Sequence, residues 1–290
     1  MRIFVKFWGV RGSIPTPGPS TRRYGGNTSC YEIRIGDKLI ICDAGTGIRP
    51  LGLDLLKRGD ATIEGHMFLS HAHWDHIQGF PFFLPAYESS TKLFVYGLSS
   101  GDDRPHDLLS GQMQTDYFPV SFRDLGGQVI PGYLENFEGL IGDIRVRAME
   151  QIHPGSSYAF SFEHSGRRVV YMTDNEIDMA LPDITPNDGL RPIPQRMVDF
   201  VQDAELLIAD GQYTEAEYPR KVGWGHARAT TVTDLAIAGN VKRLAITHHD
   251  PMQSDMEVDA KIAVCRKRVQ TLGGKVEVFG AREGLELRIV

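Results

Sequence analysis

The sequence predicts an α/β chain, of the α+β kind, in which two mixed β-sheets pack face to face with helices outside them. Three observations predict it. Strand-like patterning dominates each half of the chain, and each half finishes with helices. Hydrophobic residues make up 41% of the 290, enough to bury a substantial core, here read as a single domain over 1–290. Polar clusters at 71–76, 153, 174 and 248 each stand just after a strand-like run, so strand ends gathered at one edge would bring them together.

In order along the chain, residues 5–8 read as a strand, and a Pro- and Gly-rich loop follows to Asn27. Residues 29–35 and 38–42 form a hairpin turning at Gly36-Asp37. The small-residue turn 43–47 leads into a helix through Leu55, and 65–69 is an apolar strand. Pro81 and Pro85 argue against a long helix over 77–87, which reads as core packing. Residues 92–96 form a strand; 99–136 is weakly patterned and reads as an excursion able to cover a site. Strands follow at 144–149, 157–162, 168–172 and 205–209, with a Pro-rich loop at 181–194 and a short helix before the last of them. Val232, Leu235, Ala236 and Gly239 recur at helical spacing, and Gly239-Asn240 closes that helix. After a strand at 243–247, Ser254 and Glu257 have capping-box spacing for a helix with Val258, Ile262, Cys265, Val269 and Leu272 inward. Gly273 stops it, and strands at 275–279 and 285–290 finish the chain.

The densest chemistry lies in Ser70-His71-Ala72-His73-Trp74-Asp75-His76. His71 and His73 are two apart in extended backbone and can point to one side. Asp75 and His76 fall where the chain turns into a helix, which lets them face a second point. A lone histidine is more often structural than a ligand. Ten histidines are spread over the chain, however, and three of them fall within the six positions 71–76. Imidazole and carboxylate suit divalent zinc, manganese or iron.

Net charge is -6 and the sequence pI about 5.9, which gives no basic surplus for a polyanion-binding surface. No apolar run approaches the ~20 residues of a membrane span, and the N-terminus reads as a strand rather than a signal peptide. A two-residue turn at 36–37 sets Cys30 opposite Asp43 rather than Cys42, so these two are not expected to pair, and a cytoplasmic setting fits. A homodimer is left open.

The motif His-x-His-x-Asp-His at 71–76, followed in order by His153, Asp174 and His248, resembles that of the metallo-β-lactamase-fold hydrolases. That resemblance implies a four-layer αββα sandwich. It also implies two divalent metal ions, one held by His71, His73 and His153, the other by Asp75, His76 and His248, with Asp174 bridging. Either His248 or its neighbour His249 could be the last ligand, and the family pattern favours His248. Gly223-Trp224-Gly225-His226-Ala227 resembles the catalytic histidine motif of the phosphodiesterase branch, which includes transfer-RNA 3′-processing nucleases, phosphoribosyl cyclic phosphodiesterases and class-II-like cyclic nucleotide phosphodiesterases. The stretches 7–13 and 25–29 resemble small bacterial proteins grouped with the latter two.

Two metals about 3.5–4 Å apart can share a hydroxide for in-line attack on phosphorus. In that chemistry Asp75 would orient the nucleophile, and His226 would protonate the departing alkoxide or stabilise the transition state. Asp43 is expected to fix a ligand histidine's orientation, and Asp210 to pair with His226. Arg11, Arg22 and Arg23 could meet phosphate; Trp224, Tyr213 and Phe80 could stack on a base, although packing is the commoner role. His66, His106 and His164 have no motif context and read as structural or exposed. The expected substrate is a small cyclic phosphodiester, either a cyclic nucleotide or a ribosyl cyclic phosphate. An RNA 3′-end nuclease, a thioester or lactone hydrolase of the same fold, and a metal-holding module without turnover are the alternatives. RNA is disfavoured because the insertion 175–202 sets Arg191 and Arg196 against Glu176, Asp178, Asp183, Asp188 and Asp199.

Overall fold

The computed structural model describes residues 2–59, 62–97, 104–182 and 189–289, with backbone alone at 104–106. In chain order its strands and α-helices are β1 (Ile3–Gly9), β2 (Cys30–Ile35), β3 (Lys38–Cys42), α1 (Ile48–Arg58), β4 (Ile63–Leu69), α2 (Trp74–Ile77), β5 (Thr91–Gly97), α3 (Arg104–Gly111) and β6 (Gln128–Gly132). There follow β7 (Glu138–Ile141), β8 (Ile144–Glu150), β9 (Tyr158–His164), β10 (Arg167–Met172), α4 (Gln195–Val201), β11 (Leu206–Asp210), α5 (Ala229–Ala238), β12 (Arg243–Thr247), α6 (Asp255–Thr271), β13 (Glu277–Gly280) and β14 (Glu286–Ile289). The chain divides into two compact units. One comprises Met1–Pro17, Gly25–Asn136 and Arg282–Val290; the other comprises Gly18–Tyr24 and Phe137–Ala281.

Each unit holds one seven-stranded mixed sheet. In the first the order is β14-β1-β2-β3-β4-β5-β6, antiparallel from β14 to β3 and parallel from β3 to β6. Burial along β1 alternates strictly, with Ile3, Val5 and Phe7 inside, as a strand with one covered face requires. Each such side chain, fully buried, stabilises the fold by about 1.5–3 kcal/mol. The hairpin register pairs Ile35 with Lys38 and Tyr31 with Cys42, so Cys30 does not oppose Cys42, and all three cysteines are free. The two prolines break 77–87 into short 3-10 turns at Phe80–Phe82 and Leu84–Tyr87. The 99–136 excursion is not merely irregular: it contributes α3 and the edge strand β6, held by parallel pairing to β5.

In the second unit the order is β13-β12-β11-β10-β9-β8-β7, parallel from β13 to β10 and antiparallel from β10 to β7. Two antiparallel steps separate β8 from β10, so β8, β10, β11 and β12 all run the same way. Their carboxyl ends therefore share one edge of this sheet, the edge at which open α/β sheets bind ligands. The first sheet uses the same device, with β3 and β4 as parallel neighbours whose ends fall together.

α6 starts with the capping box expected from Ser254 and Glu257 and ends before Gly273 at φ 66°. Its inward face is Val258, Ile262, Cys265 and Val269; Leu272 is only half-buried. α5 is covered on every side, Thr230, Thr231, Thr233 and Asp234 included. The left-handed residue past its end is Asn240 (φ 49°), not Gly239.

One buried residue on α6 carries a charge. Lys261 is 3% exposed, and its Nζ donates to the Gln212 carbonyl at 3.0 Å and to Gln253 Oε1 at 2.8 Å. Burial pushes its pKa down from 10.5 to about 8. Between those values the unfolded chain binds more protons than the folded one, so stability rises with pH there, and the full cost of burying the charge is present below about 8. Urea titrations are expected to show the stability of wild type rising relative to Lys261→Met from pH 8 to 10.5. A flat difference would mean that burial does not lower the Lys261 pKa in the folded state.

Candidate metal centre and proton-transfer residues

In the first unit, the carboxyl ends of β3 and β4 carry Asp43 and the 70–76 stretch. Asp43 is fully buried at φ 61°, a left-handed conformation that costs most residues energy but that Asp tolerates. This turn aims its carboxylate at three groups. Oδ1 accepts from the Ser70 amide at 2.7 Å, while Oδ2 accepts from the Ser70 hydroxyl at 2.8 Å and lies 2.7 Å from His76 Nδ1. Asp43 therefore orients His76 and leaves its Nε2, 3.2 Å from Asp75 Oδ2, turned the other way. Asp75 Oδ2 also accepts from the Ser13 amide at 2.7 Å. His71 and His73, alternate residues in extended chain, have ring centroids 4.5 Å apart, and His71 and His76 are separated by 4.2 Å.

In the second unit, the ends of β8, β10, β11 and β12 carry His153, Asp174, Asp210 and His248. Asp174 and His248 sit at φ 54° and 55°, so both strands turn sharply at the residue that faces the edge. His248 Nε2 is 3.3 Å from Asp174 Oδ1, and its Nδ1 is 2.9 Å from Gln212 Oε1. His153 donates from Nδ1 to the Gly225 carbonyl at 2.9 Å, with Nε2 3.8 Å from Asp174 Oδ2. His226 Nδ1 is 2.9 Å from Asp210 Oδ2, and its ring stacks on His248 with centroids 4.8 Å apart. Asp174, Asp210, His226 and His248 each offer one atom to a group lying within 4.8 Å. His249 is committed elsewhere: its Nε2 bonds the Ala281 carbonyl at 2.9 Å and its ring meets Tyr24 edge-on. Of the two neighbours, His248 is the one beside Asp174.

The donor set fits divalent metal. His76, His153 and His248 each have Nδ1 tied by a protein acceptor, Asp43, the Gly225 carbonyl and Gln212 respectively, which fixes the tautomer that presents Nε2. Buried imidazoles and carboxylates in this state suit zinc, manganese and iron alike.

Several expected contacts are placed differently. Arg11 is fully buried, and its guanidinium donates to the Gly25 carbonyl, so it braces the N-terminal loop rather than standing open to phosphate. Arg23 bonds Asp255 and Asp259 on α6. Phe80 and Tyr213 are 0% and 1% exposed and serve as packing, not as base platforms. Trp224 is 58% exposed, with Lys221 Nζ 3.9 Å over its ring. His66 is buried against Tyr96, and His164 pairs with Asp143; the side chain of His106 lies outside the described residues, as do Asp183 and Asp188. Sequence reasoning missed Ser70, Gln212 and Glu176. A lone Ser or Gln carries no spacing signal, although Gln212 two residues after a strand-end Asp and Glu176 two after Asp174 were positional hints.

A family model described as the metallo-beta-lactamase superfamily matches residues 23–211, and the chain belongs to that superfamily. It has the superfamily's fold and is a metal-dependent hydrolase. Among curated proteins it is similar to one named ribonuclease Z from Natronomonas pharaonis, 24% identical over 89% of this chain and 92% of that protein. A ribonuclease Z from Haloarcula marismortui is 23% identical over 86% of each. Two solved structures share the fold. The metallo-beta-lactamase fold protein YhfI from Bacillus subtilis has a TM-score of 0.67 at 18% identity, covering 99% of both chains. Human tRNase Z, short form, has a TM-score of 0.64 at 18% identity, covering 98% of both. Relatives named ribonuclease Z leave the expectation that RNA is an unlikely partner without support. Among the described residues no helix is long and apolar enough to cross a membrane.

Proposed function

We propose that the chain is a single-domain phosphodiesterase using two divalent ions, and that its substrate is a small cyclic phosphodiester, a cyclic nucleotide or a ribosyl cyclic phosphate. Following the superfamily pattern, His71, His73 and His153 would hold one ion and Asp75, His76 and His248 the other, with Asp174 available to both. The observation that supports the reading is the gathering of Asp174, Asp210, His226 and His248 at one sheet edge, with the His226 ring held by Asp210. When bound, the ions supply positive charge to the phosphoryl oxygens and acidify a water. Asp75, steadied by the Ser13 amide, orients that water for in-line attack. Asp210 fixes His226 with the proton on Nδ1 and offsets the ring's charge when Nε2 is also protonated. His226 then passes the Nε2 proton to the alkoxide as the P–O bond breaks. Trp224, exposed two residues before His226, is available to the substrate's organic part.

RNA 3′-end processing is the second reading, favoured by the names of the curated relatives. Against it, Arg191, one of two arginines in the 175–202 insertion, is buried and spent on Asp234 and Glu215. A basic contact to a polyanion needs free cationic side chains. A rate panel on metal-loaded protein decides between them, using 2′,3′- and 3′,5′-cyclic nucleotides, ribosyl cyclic phosphate and a 3′-extended RNA. The cyclic substrates are expected to turn over fastest. Cleavage of the RNA alone selects the second reading, and hydrolysis only of a thioester or lactone overturns both.

A further inference from the structure

Glu176 is a buried carboxylate that the mechanism above does not use. It is 1% exposed, and the partners of its carboxylate lie within 218–225. Oε1 accepts from the Tyr218 hydroxyl at 2.8 Å and from the Gly223 amide at 2.7 Å, and Oε2 accepts from the Gly225 amide at 2.7 Å. Gly223 and Gly225 sit at φ 84° and 89°, a conformation that lets alternate amides converge on one anion. Burial and the Glu176 carboxylate hold the Tyr218 hydroxyl firmly protonated. At its other end Glu176 is tied by its own amide to the Ile152 carbonyl at 2.7 Å, beside His153. The turn returns the connection: the Gly225 carbonyl accepts from His153 Nδ1, and a Cβ on Gly225 would lie 2.2 Å from that nitrogen.

We propose that Glu176 is a positioning residue whose carboxylate locks the 223–226 turn, so that one anchor sets both the ring of His153 and the placement of His226. His76 and His226 are oriented by carboxylates of their own, and His248 by a side-chain amide. His153 alone of these four leans on a main-chain carbonyl, which is only as rigid as the turn that carries it. A carboxylate accepting three bonds, two of them from amides of that turn, makes the turn rigid. The inference rests on the proposed use of His153 as a ligand and His226 as a proton donor.

The test compares wild type with Glu176→Ala, Glu176→Gln and Gly225→Ala by zinc competition against a chelator, with melting curves alongside. A second arm compares hydrolysis of a p-nitrophenyl diester with that of an alkyl diester. Glu176→Ala is expected to weaken one of the two zinc equivalents by about 10–100-fold and leave the other near wild type. It should also slow the alkyl diester more than the p-nitrophenyl ester, because only the poor leaving group needs the proton from His226. Glu176→Gln keeps one acceptor oxygen but turns an amide N–H₂ on at least one of the three donors, so it should fall between. Gly225→Ala, with Glu176 intact, should weaken the same zinc equivalent. Lower melting temperatures with unchanged zinc affinity and unchanged leaving-group ratio would reduce Glu176 to a structural part and overturn the proposal. Should wild type bind zinc yet cleave no diester, the phosphodiesterase reading fails, while selective zinc loosening in the variants still supports the anchor.

Discussion

His226→Ala is expected to lower kcat for a phosphodiester with an alkoxide leaving group by about 10²–10⁴-fold, the usual contribution of a positioned general acid. KM and metal content should stay near wild type, because the ring acts after binding and Asp174 and His248 remain. The physical basis is the 2.9 Å contact from Nδ1 to Asp210, which leaves Nε2 as the atom able to deliver a proton. A p-nitrophenyl ester, whose leaving group departs without protonation, should recover most of the lost rate. Asp210→Asn should follow in weaker form, since an amide can hold the ring but cannot offset its charge. Equal rates for wild type and His226→Ala on the alkyl ester would remove this residue from the chemistry.

Asp174→Ala is expected to have the largest effect on metal. The side chain is buried at the end of β10, and its oxygens lie 3.3 Å from His248 Nε2 and 3.8 Å from His153 Nε2. If Asp174 is common to both ions as proposed, its removal withdraws charge that balances them, so purified variant should retain less than one equivalent and show no measurable hydrolysis. Ala also has to adopt φ 54° there, where Asp is tolerated, so some loss of folded stability is expected. Asp174→Asn separates the two effects, because Asn accepts the left-handed conformation but lacks the charge. Metal analysis and melting temperature on the pair should show Asn near wild type in stability and near Ala in metal content.

The candidate site residues stand out in the sequence because the chemistry is concentrated: three histidines and a carboxylate in six residues, and later single His or Asp residues at strand ends. The hairpin register was legible for the same local reason, a two-residue Gly-Asp turn between alternating runs. What escaped has a common cause, dependence on partners distant in the chain. β6 and β7 are edge strands of five and four residues, each holding a Gly and the first also a Pro, and only pairing with β5 and β8 makes them strands. Lys261 reads as surface, because lysine normally is. Gln212 and Glu176 carry no motif; their roles exist only once the turns at 211–213 and 223–226 are built. Arg11 misled in the opposite sense, since an arginine in a Gly-rich loop suggests an anion contact and this one holds a carbonyl.

Metal removal and return on the same sample tests the central claim most directly. Chelator-treated protein should hydrolyse no phosphodiester, and zinc or manganese titrated back should restore the rate in proportion to bound metal, reaching a plateau at two equivalents. Full activity in protein shown to be free of metal, or metal binding at two equivalents with no diester cleaved, would contradict it.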